Sequence, residues 1–410
     1  MESKPVKYQN YLVVGVICLL CGISVSLVQY KIPTIMPNIM EQFSMTASGA
    51  AWTMSIFTLV GIFLAIPVGA LAKKIGAKNV MLLAAGVIIV GSILGVCAAS
   101  GGFLIFSRAI EGCALTMITT CGVIVIQQTV APERIGSAMG IWGVWGSAGS
   151  VIAGWITPSV FAALGFKGLW ISYACFALVA AALLFFIVKV PKPAKAAPQS
   201  ETEAVAVADA AAYKPRYRDV FTPDMVKLFI CFCGFNIVLL AILSMLPTIL
   251  QTKGFSATAS GFVSTLPMLL SLIASPVFGM LSDRISWKPL TVASVFLLGP
   301  CCLILYNSTG IVMWVTCVVL GLIGLGSMAM MLVALSKLTP RPELVEMATA
   351  VFITVQGVGQ FLGSWLVQIL LGPDFSRMLL AGIVICVLAL AGTAAMALVK
   401  GGDSKEEPAA

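Results

Sequence analysis

The chain has 410 residues, of which 60% are hydrophobic and only 10% charged, with 24 basic and 16 acidic side chains giving a net charge of +8. A soluble protein carries roughly 25% charged residues, so this composition, with a mean hydropathy of +1.06, excludes a water-soluble enzyme domain. There is no His, which excludes imidazole metal centres and histidine proton relays.

Apolar runs long enough to cross a bilayer recur along the whole length. In chain order they predict spans over 11–36, 50–72, 79–98, 102–128, 137–163 and 168–189, then 225–250, 257–281, 289–306, 310–335, 346–371 and 376–399. Each reads as a helix, because in hydrocarbon every backbone polar group must be paired within its own segment. The first run is too long for a signal-peptide core and stays in the membrane. The expected architecture is an all-α membrane protein of twelve helices in two pseudo-symmetric six-helix bundles. Its predicted units are an N-terminal bundle over 1–190, a cytoplasmic linker over 191–222, a C-terminal bundle over 223–400 and a cytoplasmic tail over 401–410. The linker is polar and rich in Pro, Ala and Lys, with no core to join. Its end, Tyr213 to Phe221, reads as a short basic amphipathic segment on the membrane surface.

The two bundles are a duplication. Pro33-Thr34-Ile35 returns as Pro247-Thr248-Ile249, and Thr46-Ala47-Ser48-Gly49 as Thr258-Ala259-Ser260-Gly261. Glu133 and Trp155 return as Glu343 and Trp365. With the amino terminus inside, 19 Lys and Arg fall on the cytoplasmic side and 3 in the outer loops, the bias of the positive-inside rule. The basicity therefore encodes orientation in an inner membrane, with both termini cytoplasmic, and nucleic acid is not expected as a partner. The 12 Cys all lie in apolar runs and read as small packing residues.

Between the eighth and ninth spans stands Gly279-Met-Leu-Ser-Asp283-Arg284, and between the second and third Gly69-Ala-Leu71-Ala-Lys73-Lys74. The former resembles the Gly-x-Leu-x-Asp-Arg signature of the major facilitator superfamily. Arg108-Ala-Ile-Glu111-Gly112 in the fourth span is similar to that family's Arg-x-x-Gln-Gly pattern, and Pro37-x-Ile39-x-x-x-Phe43 follows the first span as it does there. The resemblance implies alternating access between two bundles, with Gly69, Lys73, Gly279, Asp283 and Arg284 as gating positions. Lys73 stands where the family carries an acid, so the carboxylate role passes to Asp283 alone. The Gly-Pro pair of drug/proton antiporters is missing from the fifth span, whose first proline is Pro158. A basic residue in the first span and a Gly-rich fifth span faintly resemble permeases for small anions such as cyanate.

Charged residues inside hydrocarbon are costly and therefore candidates for function. Here they are Lys31, Arg108 and Glu111. Lys31 and Arg108 fall at one depth, about 9 Å below the outer surface at 1.5 Å per residue. They read either as a cationic trap for an anion or as a helix lock, with Arg108 on Glu111 at i+3 and Lys31 snorkelling to headgroups. Glu111, the one carboxylate placed well inside a span, is the candidate proton site. Asn236 in the seventh span and Gln356 and Gln360 in the eleventh could hydrogen-bond a substrate or neighbouring helices. Trp142 and Trp145 could wall a cavity or pack. No nucleotide-binding loop or cofactor motif is present. The expected function is secondary transport of a small organic solute, an anion favoured, by a monomer in the bilayer and driven by proton symport. Efflux of a hydrophobic or cationic compound is the alternative, and a receptor or scaffold on the same fold a third.

Overall fold

The computed structural model describes residues 8–131, 134–190, 216–282, 287–341, 344–372 and 375–400. Among the described residues, ten helices are long and apolar enough to cross a membrane. The longest, Trp145–Ile187, is broken at Gly165, whose φ of 67° and ψ of −171° are not helical. A backbone with no Cβ turns there at little cost, so this helix supplies both the end of the fifth span and the whole of the sixth. The tenth span is assembled from pieces: Gly310–Val319, a π turn over Leu320–Gly324 and Ser327–Leu338. Twelve crossings result, as the apolar runs predict.

The remaining spans are Tyr11–Tyr30, Ala47–Ile75, Ala77–Val96, Gly101–Thr129, Pro223–Thr252, Ala257–Ser282, Trp287–Asn307, Val345–Leu371 and Met378–Ala397. The fifth begins as Ile135–Gly143. The first span departs from its predicted extent. Its regular helix stops at Tyr30, and a 3₁₀ turn over Pro33–Ile35 leads into a short helix, Met36–Gln42. Pro33 has no N–H to give to the carbonyl four residues back, yet its counterpart Pro247 lies inside the continuous helix Pro223–Thr252, so the two halves treat the same proline differently. The last carbonyls of Tyr11–Tyr30 are left without helical donors.

The side opposite the basic loops, called outer here, is where the two halves meet. Thr248 Oγ1 donates to the Pro33 carbonyl at 3.3 Å, and Gln251 Nε2 to the Thr34 carbonyl at 3.1 Å. Gly154 of the fifth span and Gly261 of the eighth approach so closely that a Cβ on Gly154 would stand 2.9 Å from the Gly261 carbonyl oxygen. Beside this crossing Trp155 stacks on Phe262 at 5.3 Å between centroids. On the other seam Ser55 and Ser364 share a hydrogen bond of 3.1 Å, and Trp52 lies 6.3 Å from Phe361. Deeper in the membrane Ser147 Oγ donates to Met268 Sδ at 3.7 Å. These joints close the outer side.

At the basic side each half uses one lysine to tie its third helix to its last. Lys78 Nζ donates to the carbonyls of Phe185 and Val188 at 2.9 and 2.7 Å, and Lys288 Nζ to that of Val399 at 2.6 Å. Cations at helix C-termini complement both the orphan carbonyls and the helix dipole. Of the predicted surface segment Tyr213–Phe221, the described part forms the short helix Tyr217–Val220.

Candidate functional site

The three charges in the membrane form one cluster. Lys31 Nζ lies 2.8 Å from Glu111 Oε1, and Arg108 NH1 lies 2.5 Å from Glu111 Oε2. Ser92 of the third span donates to the same Oε1 at 2.8 Å. All three charged side chains are fully buried. Arg108 pairs with Glu111 at i+3 as the helix-lock reading expects, and Lys31, in place of snorkelling, takes the other oxygen of the same carboxylate. Lys31 does not reach out to the surface.

The local chain explains why the guanidinium sits here. Arg108 NH1 also donates to the Val28 carbonyl at 2.8 Å, and NH2 reaches the Gln29 carbonyl at 3.4 Å. These are among the carbonyls that the early end of the first helix leaves free. Nε donates to the Thr53 carbonyl of the second span at 3.1 Å, and the guanidinium carbon lies 4.5 Å from the centre of the Phe57 ring. Arg108 thus ties the first, second and fourth spans together. Lys31 has Glu111 on one side and the Trp170 ring of the sixth span on the other, 4.0 Å from its centroid. A cation facing an aromatic ring in a dry site gains up to about 2 kcal/mol. The third span makes room through glycines. A Cβ on Gly91 would stand 2.6 Å from Glu111 Cγ, and one on Gly95 would meet Trp170.

The sequence did not point to Ser92, Trp170, Phe57 or the Thr53 carbonyl. Ser92 had a readable signal, a hydroxyl in an apolar span between Gly91 and Gly95, the spacing of a face that approaches another helix. Trp170 and the Thr53 carbonyl had none, because their roles come from neighbours distant in the chain.

The other expected positions are spread over the fold. Asn236 is fully buried, and its Nδ2 donates to the Phe232 carbonyl at 2.9 Å. Its Cβ packs where a Cβ on Gly359 of the eleventh span would fall, at 2.7 Å. Its Oδ1 has no hydrogen-bond partner among the described residues. Gln356 and Gln360 are half-buried on the same eleventh span. Trp142 is buried against Gly22 and Gly122, stacked with the half-buried Trp145 at 6.1 Å. Of the fifth-span glycines, Gly149 packs on Ser26 within the half and Gly154 crosses to the other, while Gly140, Gly143 and Gly146 have open space. Gly69, Lys73 and Gly279 lie toward the basic ends of the second and eighth helices. Asp283 and Arg284 lie outside the described residues, as does Glu133.

Tyr30, Pro33 and Thr34, which flank Lys31 in the chain, line a small cavity between the halves. Ser150, Gly154, Leu243, Pro247, Gly261 and Thr265 complete it. Lys31 points away from it, into the N-terminal bundle. The ionic cluster and the joint between the halves are thus two faces of one short stretch of backbone.

The two halves repeat one helix order in the same direction and meet along two seams on the outer side. The model of the major facilitator superfamily matches residues 18–364, and the chain belongs to that family. A stretch of the chain is 25% identical to the methylenomycin A resistance protein of Bacillus subtilis, covering 33% of this chain and 29% of that protein. Another is 27% identical to "Probable nitrate transporter NarT" of Staphylococcus epidermidis, covering 38% of this chain and 40% of that protein. The chain therefore matches less than half the length of either. The fold is similar to the crystal structure of a bacterial homolog of the human lysosomal transporter Spinster, in its inward-facing and unoccupied conformation. That likeness has a TM-score of 0.77 at 14% identity and covers 97% of this chain and 98% of that one.

Proposed function

We propose that the chain is a secondary transporter of a small organic solute, an anion by preference, which it moves by alternating access across the cytoplasmic membrane, as a monomer with both termini inside. The observation that carries this reading is the charge of the buried cluster. Lys31, Arg108 and Glu111 sum to +1, with every member out of contact with water. In a medium of low dielectric an unbalanced charge is felt well beyond its contacts. The adjoining cavity between the halves is therefore biased toward electron-rich solutes and against cations. Gln356, Gln360 and Asn236 would supply neutral hydrogen bonds from the other half, and Asp283 with Arg284 would latch the inner side.

The test is flux. Purified protein in proteoliposomes is supplied with nitrate, small carboxylates, neutral sugars and quaternary ammonium ions. Accumulation of anions under an imposed pH gradient supports the reading, and accumulation of the ammonium ions alone overturns it. The aromatic side chains on both seams, Trp52 with Phe361 and Trp155 with Phe262, favour a second reading in which the solute is hydrophobic. The same assay separates the two, because a hydrophobic solute would move whatever its charge.

A further inference from the structure

Within that transport reading, we infer that the proton site of the cluster is the Lys31 ammonium, and that its protonation holds the outer side closed. The three members of the cluster differ in whether they have a proton to give. Glu111 already accepts from Lys31, Arg108 and Ser92. A proton placed on either oxygen would displace one of those donors inside a sealed site. Arg108 spends its donors on Glu111 and on three backbone carbonyls from two other helices, and guanidinium does not deprotonate in proteins. Lys31 makes a single hydrogen bond, to Glu111, and otherwise faces Trp170.

The charge arithmetic agrees. When one N–H bond of the ammonium breaks, the electron pair stays on Nζ and the proton leaves to water. The cluster then passes from +1 to neutral, with the Arg108–Glu111 pair intact. The neutral amine still has two N–H groups, one of which can reach Glu111 Oε1. Losing the Lys31 proton gives up one of the two ion pairs on Glu111 and leaves the cluster neutral, whereas protonating Glu111 would give up both and raise the charge to +2. The groups that face Lys31 are Glu111 and Arg108 from the fourth span, Ser92 from the third and Trp170 from the sixth.

The link to the gate is covalent and short. Lys31 caps the helix Tyr11–Tyr30. Just beyond it, Pro33 and Thr34 offer the carbonyls that Thr248 and Gln251 of the other half take up. An ammonium held between Glu111 and Trp170 fixes the position of that turn, and with it both hydrogen bonds across the seam. A neutral amine keeps at most a hydrogen bond to the carboxylate and loses the Coulombic attraction of the ion pair, which is large in a medium of low dielectric. Loss of the proton therefore frees the turn, and the outer seam opens. The outer side would then take up a proton and close, which gives the sense of proton-driven import.

The experiment reads conformation without any transported solute. Spin labels are placed on Cys substituted at Ser48 and Thr258, exposed residues at the outer ends of the second and eighth helices. The exposed native Cys97 and Cys175 are replaced by Ala, and the distance distribution is followed in purified protein between about pH 6 and about pH 9. In the labelled parent, the short-distance population should dominate at low pH and give way to a longer one as pH rises. Lys31→Arg should stay at the low-pH distribution and Lys31→Met at the high-pH one, each flat across the range. Both are checked for a single symmetric elution peak, and the opposite limits of the two variants distinguish a switch from damage. A parent with no pH response overturns the inference. So does a response that survives in Lys31→Arg, which would return the proton to Glu111. Absence of solute flux in proteoliposomes would remove the transport reading and leave this result standing.

Discussion

The two halves share a backbone plan and differ in what they bury at its centre. Counted from the helix starts Gly101 and Gly310, Arg108, Glu111 and Gly112 of the fourth span fall opposite Cys317, Leu320 and Gly321 of the tenth. Arg108 Nε donates to the Thr53 carbonyl at 3.1 Å, and Cys317 Sγ reaches the carbonyl of Val263 at 3.7 Å. Val263 sits in the eighth helix where Thr53 sits in the second. Gly112 lies against the backbone of Phe57, and Gly321 against that of its counterpart Pro267. Lys31, aligned through the repeated Pro-Thr-Ile, has Met245 opposite it. The N-terminal half thus places an ion cluster where the C-terminal half places a thiol, a leucine and a thioether. The scaffold tolerates both because the close contacts are made by glycines and carbonyls, which both halves keep. At the position of Glu111 the tenth helix instead widens into the π turn Leu320–Gly324. Divergence of the side chains at one site, with the backbone contacts preserved, is how a symmetric frame acquires a one-sided function.

Removing the acid separates the halves most sharply. Glu111→Ala leaves two buried cations without a counter-charge, a loss of about 3–5 kcal/mol, whereas Leu320→Ala removes only apolar contacts. Thermal unfolding in detergent should show the former near the limit of expression. An equal effect of the two substitutions would mean that the cluster is not energetically special.

Next come the shared glycines. A Cβ on Gly112 would stand 2.8 Å from the Phe57 Cα, and one on Gly321 would stand 2.8 Å from the Pro267 carbonyl oxygen. Gly112→Ala and Gly321→Ala should each cost about 1–3 kcal/mol by forcing helices apart. Similar shifts in the unfolding midpoint would show that the repeat is held by backbone approach.

The seam offers a conformational test. Gly154→Val places a side chain on the eighth helix, where the Cβ alone would stand 2.6 Å from Thr265 Cγ2. It should favour an open outer side, read as increased labelling of Cys introduced at Ser150 by an impermeant reagent added from outside. Unchanged labelling would remove the Gly154–Gly261 crossing from the gate.

The smallest effects belong to the thiol and the lysine ties. Cys317→Ala should cost about 1 kcal/mol or less, since a thiol is a weak donor. Lys78→Met and Lys288→Met should each cost about 0.3–1 kcal/mol as cations at helix C-termini, of similar size because the two lysines hold the same place in the repeat. A large effect in only one of the pair would break the symmetry at the basic side.

Much of this was written in the chain. Twelve apolar runs, the repeated Pro-Thr-Ile and Thr-Ala-Ser-Gly segments, and the charge bias determined helices, crossing number and duplication, because bilayer thickness and backbone pairing leave few other solutions. The rarity of charge in the membrane also singled out Lys31, Arg108 and Glu111. Depth along each helix placed the two bases level with one another, but rotation about the helix axis is not a matter of length or composition. Only packing decided that Lys31 turns into its own bundle, where glycines of the third helix admit Glu111 and Trp170 closes the other side. Tertiary structure also decided that the first helix, ending at Tyr30, would lend its last carbonyls to Arg108. Both choices depend on contacts between segments some 80 residues apart, which local periodicity does not encode, since a side chain's partner is set by how neighbouring helices fit together.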